Sequence, residues 1–106
     1  MQKRKYNINI VGDKEAKQKE VEGYTERLYL SNGLSVTVGL RKNQIGSNDY
    51  WHIDDYLSGL AVTTQSYSTR KEALQEAKRI LEIQKDNILQ ARDYFVESHN
   101  IKFNTL

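Results

Sequence analysis

The grouping His52-x-Asp54-Asp55 brings one imidazole and two carboxylates together within four residues. These are side-chain types that hold a metal ion or act as a general acid and base. In an extended segment successive side chains alternate sides, so Asp55 is expected to point away from His52 and Asp54, with no third ligand nearby in the sequence. No metal site and no cofactor are expected from this grouping. Ser66 and Ser68 have no nucleophile context, His99 stands near the C-terminus, and no glycine pattern that would cradle a phosphate occurs. The absence of cysteine removes disulfides, thiolate zinc sites and a cysteine nucleophile. The expectation is a binding protein, not an enzyme.

The binding chemistry is read from strand parity. If the apolar residues of each strand share one face, the opposite face carries Arg27, Tyr29, Thr37, Arg41, Tyr50, His52, Asp54, Tyr56, Thr63, Gln65 and Tyr67. Tyrosine rings beside guanidinium and amide groups suit stacking on bases or anchoring a protein partner. The expected contact residues, for nucleic acid or a host protein, are Arg27, Tyr29, Arg41, Tyr50, His52, Tyr56 and Tyr67. Asp54 counts against a phosphate partner. The structural alternative is that these tyrosines cover the outer sheet or pack beneath the first strand.

The elements that would position this face follow from periodicity. The chain has 106 residues, the size of one domain with one core, and no linker divides it. Residues 5–11 alternate as a strand, with Tyr6, Ile8 and Ile10 on one side. Gly12-Asp13 reads as a turn, and residues 14–23 as either a frayed helix or a polar strand. At Ser31-Asn32-Gly33 a two-residue loop would split the apolar residues between faces. A three-residue loop with Gly33 left-handed instead pairs Leu28 with Val36 and Leu30 with Leu34, and is preferred. At Ser58-Gly59 a two-residue loop pairs Ile53 with Thr64 and Trp51 with Ser66, leaving Asp55 discordant on the apolar face. Residues 43–49 read as a polar, mobile loop with Ile45 at its tip.

Thr69-Arg70-Lys71-Glu72 is a capping box that opens a helix. Leu74, Ala77, Leu81, Gln84, Ile88, Ala91 and Phe95 then form a stripe at spacings of three and four, interrupted by the polar Gln84. An unbroken helix over residues 70–98 would be ~43 Å long, against a diameter of about 26 Å for a chain of this size. Either it breaks near Asp86-Asn87 or its far end projects and buries Ile88, Leu89, Tyr94 and Phe95 in a partner, with a homodimer as one outcome. The expected fold class is α+β: an antiparallel sheet of four to five strands within residues 4–67, packed on one face by a long C-terminal helix over 69–98.

Charge adds little. Sixteen basic residues face 14 acidic ones, far from the balance of a dedicated phosphate-backbone binder. Lys3, Arg4 and Lys5 are the one unopposed basic cluster, read as a solvated terminus or a phosphate-contacting arm. No apolar run approaches a membrane span and the N-terminus has no apolar signal region, so a cytoplasmic location is expected.

At Trp51-x-Ile53, Ser58-Gly59 and Ser66-x-Ser68-Thr69-Arg70-Lys71-Glu72-Ala73 the chain resembles the arm-type, AP2-like N-terminal DNA-binding domains of phage and transposon integrases. The resemblance spans about a quarter of the sequence. It implies a three-stranded antiparallel sheet backed by a helix that begins at the Thr69 motif, with the exposed sheet face in the DNA major groove. Asp54 and Asp55 depart from a basic reading face. The expectation is therefore a non-catalytic accessory protein of a phage or mobile element, acting in the bacterial host's cytoplasm and binding nucleic acid through the sheet face. The alternative is a small protein-binding inhibitor of a host defence nuclease, similar in kind to anti-CRISPR proteins.

Overall fold

The computed structural model describes residues 2–11 and 16–105, and among them all side chains except those of Gln2, Val11, Ala16 and Ile45. The expected turn at Gly12-Asp13 and the expected contact at Ile45 lie outside these. Four antiparallel strands, β1 (Gln2–Val11), β2 (Ala16–Tyr29), β3 (Ser35–Ile45) and β4 (Asn48–Asp55), follow one another in the order of the chain. Two helices, α1 (Arg70–Ile83) and α2 (Ile88–His99), complete an α+β fold. The described part of the ambiguous segment 14–23 is strand, paired with β1 throughout.

The β2–β3 turn follows the parity argument. Leu28 faces Val36, the Leu30 amide donates to the Leu34 carbonyl at 2.8 Å, and Gly33 has φ +88°. Only that register places Leu28, Leu30, Val36 and Val38 on one side, where they pack with Leu40 and Ile53 against Ala73, Ala77 and Leu81 of α1. The loop expected at 43–49 is instead a tight hairpin. β3 continues to Ile45, β4 begins at Asn48, and Gly46 takes the left-handed conformation at φ +65°.

Beyond β4 the expected hairpin register is wrong. The Asp55 amide donates to the Leu60 carbonyl and the Gly59 amide to the Asp55 carbonyl, closing a loop of four residues rather than two. The Asp55 carboxylate causes this by accepting from both the amide and the hydroxyl of Ser58. Val62 and Thr63 then both donate to the Ile53 carbonyl, and Tyr67 exchanges two backbone bonds with Trp51. Six residues of chain thus span three of β4, a bulged segment held by isolated bridges in place of a fifth strand.

The sheet also curls until its edges meet. The Asn9 amide donates to the Gly59 carbonyl at 2.9 Å, and the Asn9 side chain donates to the Ser58 carbonyl at 2.8 Å. Asn104 completes the seam: its side chain accepts from the Asn7 amide and donates to the Asn7 and Tyr56 carbonyls. A Cβ on Gly59 would lie 2.4 Å from the Asn7 carbonyl oxygen, so glycine permits this approach as well as the φ of +72°. The face turned from the helices therefore folds over a second, smaller core of Tyr6, Ile8 and Tyr56.

Thr69 caps α1 by accepting from the Glu72 amide at 3.1 Å. The Glu72 carboxylate, expected to return to the Thr69 amide, instead accepts from the Ser68 hydroxyl. The long helix breaks at residues 84–87, the first of the two alternatives: unbroken, it would exceed the molecule's longest extent of 38 Å. Gln84 ends α1 where the stripe loses its apolar residue, and the chain turns so that Ile88 re-enters the core. Two contacts fix this elbow. Glu82 accepts from the amide and hydroxyl of Ser31 in the β2–β3 turn, and Arg92 of α2 grips Asp55 through two bonds of 3.0 and 2.7 Å.

Candidate functional site

The structure disperses the tyrosine face that parity assembled. Arg27 and Tyr29 do remain outside, with Tyr29 64% exposed, and Tyr50 is half-buried. Tyr29 pairs with Ser35 and Tyr50 with Asn43, a separation of about 26 Å along β3 at 3.3 Å per residue. One ligand group cannot touch both. Tyr56 is a correction: β1 and the C-terminal tail cover it, its ring meets Tyr6 edge-on at 5.4 Å, and its hydroxyl donates to the Thr105 carbonyl. Tyr67 is another. Its pairing with Trp51, one residue off the expected Ser66, turns it to the helix side, where it packs against the main core.

Arg41 and His52 do come together, but around Asp54. Arg41 Nε donates to Asp54 Oδ2 at 2.8 Å, the Tyr6 hydroxyl donates to the same oxygen at 3.0 Å, and His52 Nε2 stands 3.5 Å from Oδ1. Gly39 makes room for the Tyr6 ring: a Cβ there would sit 2.5 Å from it. Burial pushes the Asp54 carboxyl above its ordinary range, although Arg41, His52 and Tyr6 each pull it back. Burial chiefly, with the Asp54 charge, raises the Tyr6 phenol far above its usual range. His52 moves the other way. Burial lowers its pKa more than Asp54 raises it, and Arg41 lowers it further, so the ring is neutral at pH 7. Arg41 and Tyr6 direct their donors at Asp54, while His52 Nε2 is buried without a hydrogen bond, and Asp55, as expected, points to the other face. Among the described residues no three His, Asp or Glu side chains gather to hold a metal ion.

Two residues of the basic arm have partners. Lys3 pairs with Glu22 at 2.9 Å within the β1–β2 ladder, and Arg4 lies over the Tyr56 ring at 5.7 Å. One aromatic and basic group outside the expected set stands nearby, beginning at Tyr24, the cross-strand partner of Lys3. Arg70, the first residue of α1, lies 5.6 Å from the Tyr24 ring centre and 5.4 Å from that of Trp51, with Lys42 5.8 Å from Trp51.

A concavity lies elsewhere, where the end of β1 and the loop after β4 meet the helical elbow. This cleft of about 540 Å³ is walled by Ile10, Leu60, Val62, Ile80, Ala91 and Phe95, within the size range of ligand and side-chain pockets. Its charged lining residues are Arg41, Asp54, Asp55 and Arg92, already joined as two ion pairs. Comparison with protein-family models, curated proteins and solved structures returns no match.

Ile10 and Phe95, which line the cleft, are themselves exposed. Among the described residues the exposed large hydrophobic side chains are Ile10, Tyr29, Ile83, Leu89, Tyr94, Phe95 and Phe103, five of them on the elbow, α2 and the tail. Ile88, Ala91 and Phe95 were readable as a stripe, but not as the wall of a cleft. Arg92 was missed, although Asp55, a carboxylate out of phase on an apolar face, signalled that a buried cation must meet it.

Proposed function

We propose that this chain is a non-catalytic protein-binding module whose partner docks on the helical half of the molecule. The observation that supports this reading is that five of the seven exposed large apolar side chains among the described residues fall at residues 83–103, in the half of the molecule that bears a cleft whose own charges are already paired. Exposed apolar residues grouped this way are characteristic of protein interfaces. The sheet-face alternative has less support, because Arg41 is bonded to Asp54, the His52 side chain is largely shielded, and Tyr56 is buried. The setting rests on the integrase-like resemblance alone: a phage or other mobile element in the cytoplasm of a bacterial host, with a host defence nuclease as the suggested class of partner.

Affinity capture from host lysate with the wild-type chain tests the reading. It predicts one stoichiometric protein that is lost when Tyr94→Ser and Phe103→Ser are combined, and no saturable binding to duplex or single-stranded nucleic acid at low salt. Saturable, steeply salt-dependent nucleic-acid binding without a protein partner would overturn it.

That opposite result would favour a second reading, nucleic-acid binding at Tyr24, Trp51, Arg70 and Lys42, where cations stand over aromatic rings. Arg70→Ala and Lys42→Ala would then weaken binding and flatten its salt dependence.

A further inference from the structure

We infer that the cleft at the elbow receives an uncharged aliphatic segment of the partner, an inference that rests on the protein-binding reading. Its charged lining side chains are two carboxylates and two guanidinium groups, already bonded as Arg41–Asp54 and Arg92–Asp55. A charged partner residue entering the cleft would lose its hydration and find no unpaired countercharge, at a cost that an aliphatic side chain avoids. The walls match that chemistry. Ile10, Leu60, Val62, Ile80 and Phe95 offer apolar surface, while Gln84 and Thr64 at the exposed margin supply neutral hydrogen-bonding groups for a peptide backbone.

A second copy of this chain is a poorer occupant. Three of the exposed apolar residues that it would present adjoin a charge: Ile83 follows Glu82, Tyr94 follows Asp93, and Phe103 follows Lys102. Inserting any of them would carry an ionised neighbour towards the neutral cleft.

The test places the photoreactive residue p-benzoylphenylalanine at Ala91, inside the cleft, or at Tyr94, outside it, in the full chain. Each variant is irradiated in host lysate and the crosslinked peptides are sequenced by mass spectrometry, after thermal unfolding confirms a folded chain. If the Ala91 variant does not fold, Gln84 carries the probe in its place.

The expected result is capture of the same host protein from both positions, with the cleft probe attached to a stretch free of Asp, Glu, Lys and Arg. An Ile10→Asp substitution should reduce the cleft crosslink at least tenfold. A cleft crosslink to a charged segment, to a second copy of the chain, or to a small lipophilic molecule would overturn the inference. Capture from Tyr94 without any from the cleft would also overturn it, while leaving the protein-binding reading standing. No crosslink from either position would remove both.

Discussion

The interior of the curled sheet and the helical elbow each hold a buried Asp–Arg pair, yet the two regions differ in what they leave over. Around Asp54 the donors of Arg41 and Tyr6 converge on one carboxylate, and the ring of Tyr56 is sealed under β1 and the tail. Around Asp55 the pair is a fastener: it ties α2 to the loop after β4, at the helical side of the cleft that both pairs line. Polar side chains gathered in one place are thus a poor guide to function when they satisfy one another. Apolar side chains that the core leaves outside are more informative, because nothing in the monomer accounts for them.

The largest effect should come from breaking either pair on one side. Arg41→Ala and Arg92→Ala each leave a buried carboxylate without its cation, and each should cost about 3–5 kcal/mol in urea unfolding. The two should separate in hydrogen exchange: Arg92→Ala loosens α2 first, whereas Arg41→Ala loosens the β1–β2 hairpin that Tyr6 anchors. Equal loss of protection everywhere would erase the distinction between fastener and seal.

Gly39→Ala probes the sealed interior alone. Its Cβ would fall 2.5 Å from the Tyr6 ring, and overpacking of this kind costs about 1–3 kcal/mol. Tyr6→Ala should lose its own packing energy but remove this added penalty, so the double variant should be more stable than the sum of the singles. Simple additivity would show that the ring does not lie against Gly39.

A smaller effect concerns pH. His52 has a lowered folded-state pKa, so the unfolded chain takes up a proton that the folded chain resists. Its contribution to stability is fully present above pH 6.5 and is lost as pH falls through the lowered folded value. His52→Gln should flatten the stability profile across that window. An unchanged slope in denaturant midpoint against pH would place the ring in solvent instead.

The smallest stability changes belong to the elbow surface. Leu89→Ser and Tyr94→Ser should shift unfolding by no more than about 0.5 kcal/mol, because both are exposed surface positions outside the core. A loss of several kcal/mol would mean that they support the core.

Local geometry made part of this fold legible. The Ser31-Asn32-Gly33 turn follows from requiring Leu28, Leu30, Leu34 and Val36 on one face, and the helix start follows from Thr69 and Glu72 being three residues apart. The elbow was one of two solutions to a helix too long for its domain. The closure of the sheet was not legible, because it depends on Asn104 meeting Asn7 across 97 residues and Asn9 meeting the loop after β4. Those distant contacts bury Tyr56. Tyr67 was misplaced for a different reason: the Asp55 carboxylate and the Val62-Thr63 bulge shift the register, and each one-residue shift exchanges the faces.

The claim on which the rest depends is that binding resides on the helical half and not on the tyrosine-bearing strands. Its most direct test is the affinity of the captured partner for two double variants, Tyr94→Ser with Phe103→Ser and Arg27→Ser with Tyr29→Ser, measured by calorimetry. The first pair should weaken binding at least tenfold and the second should leave it within twofold of wild type. Wild-type affinity in the first pair and a tenfold loss in the second would contradict the claim.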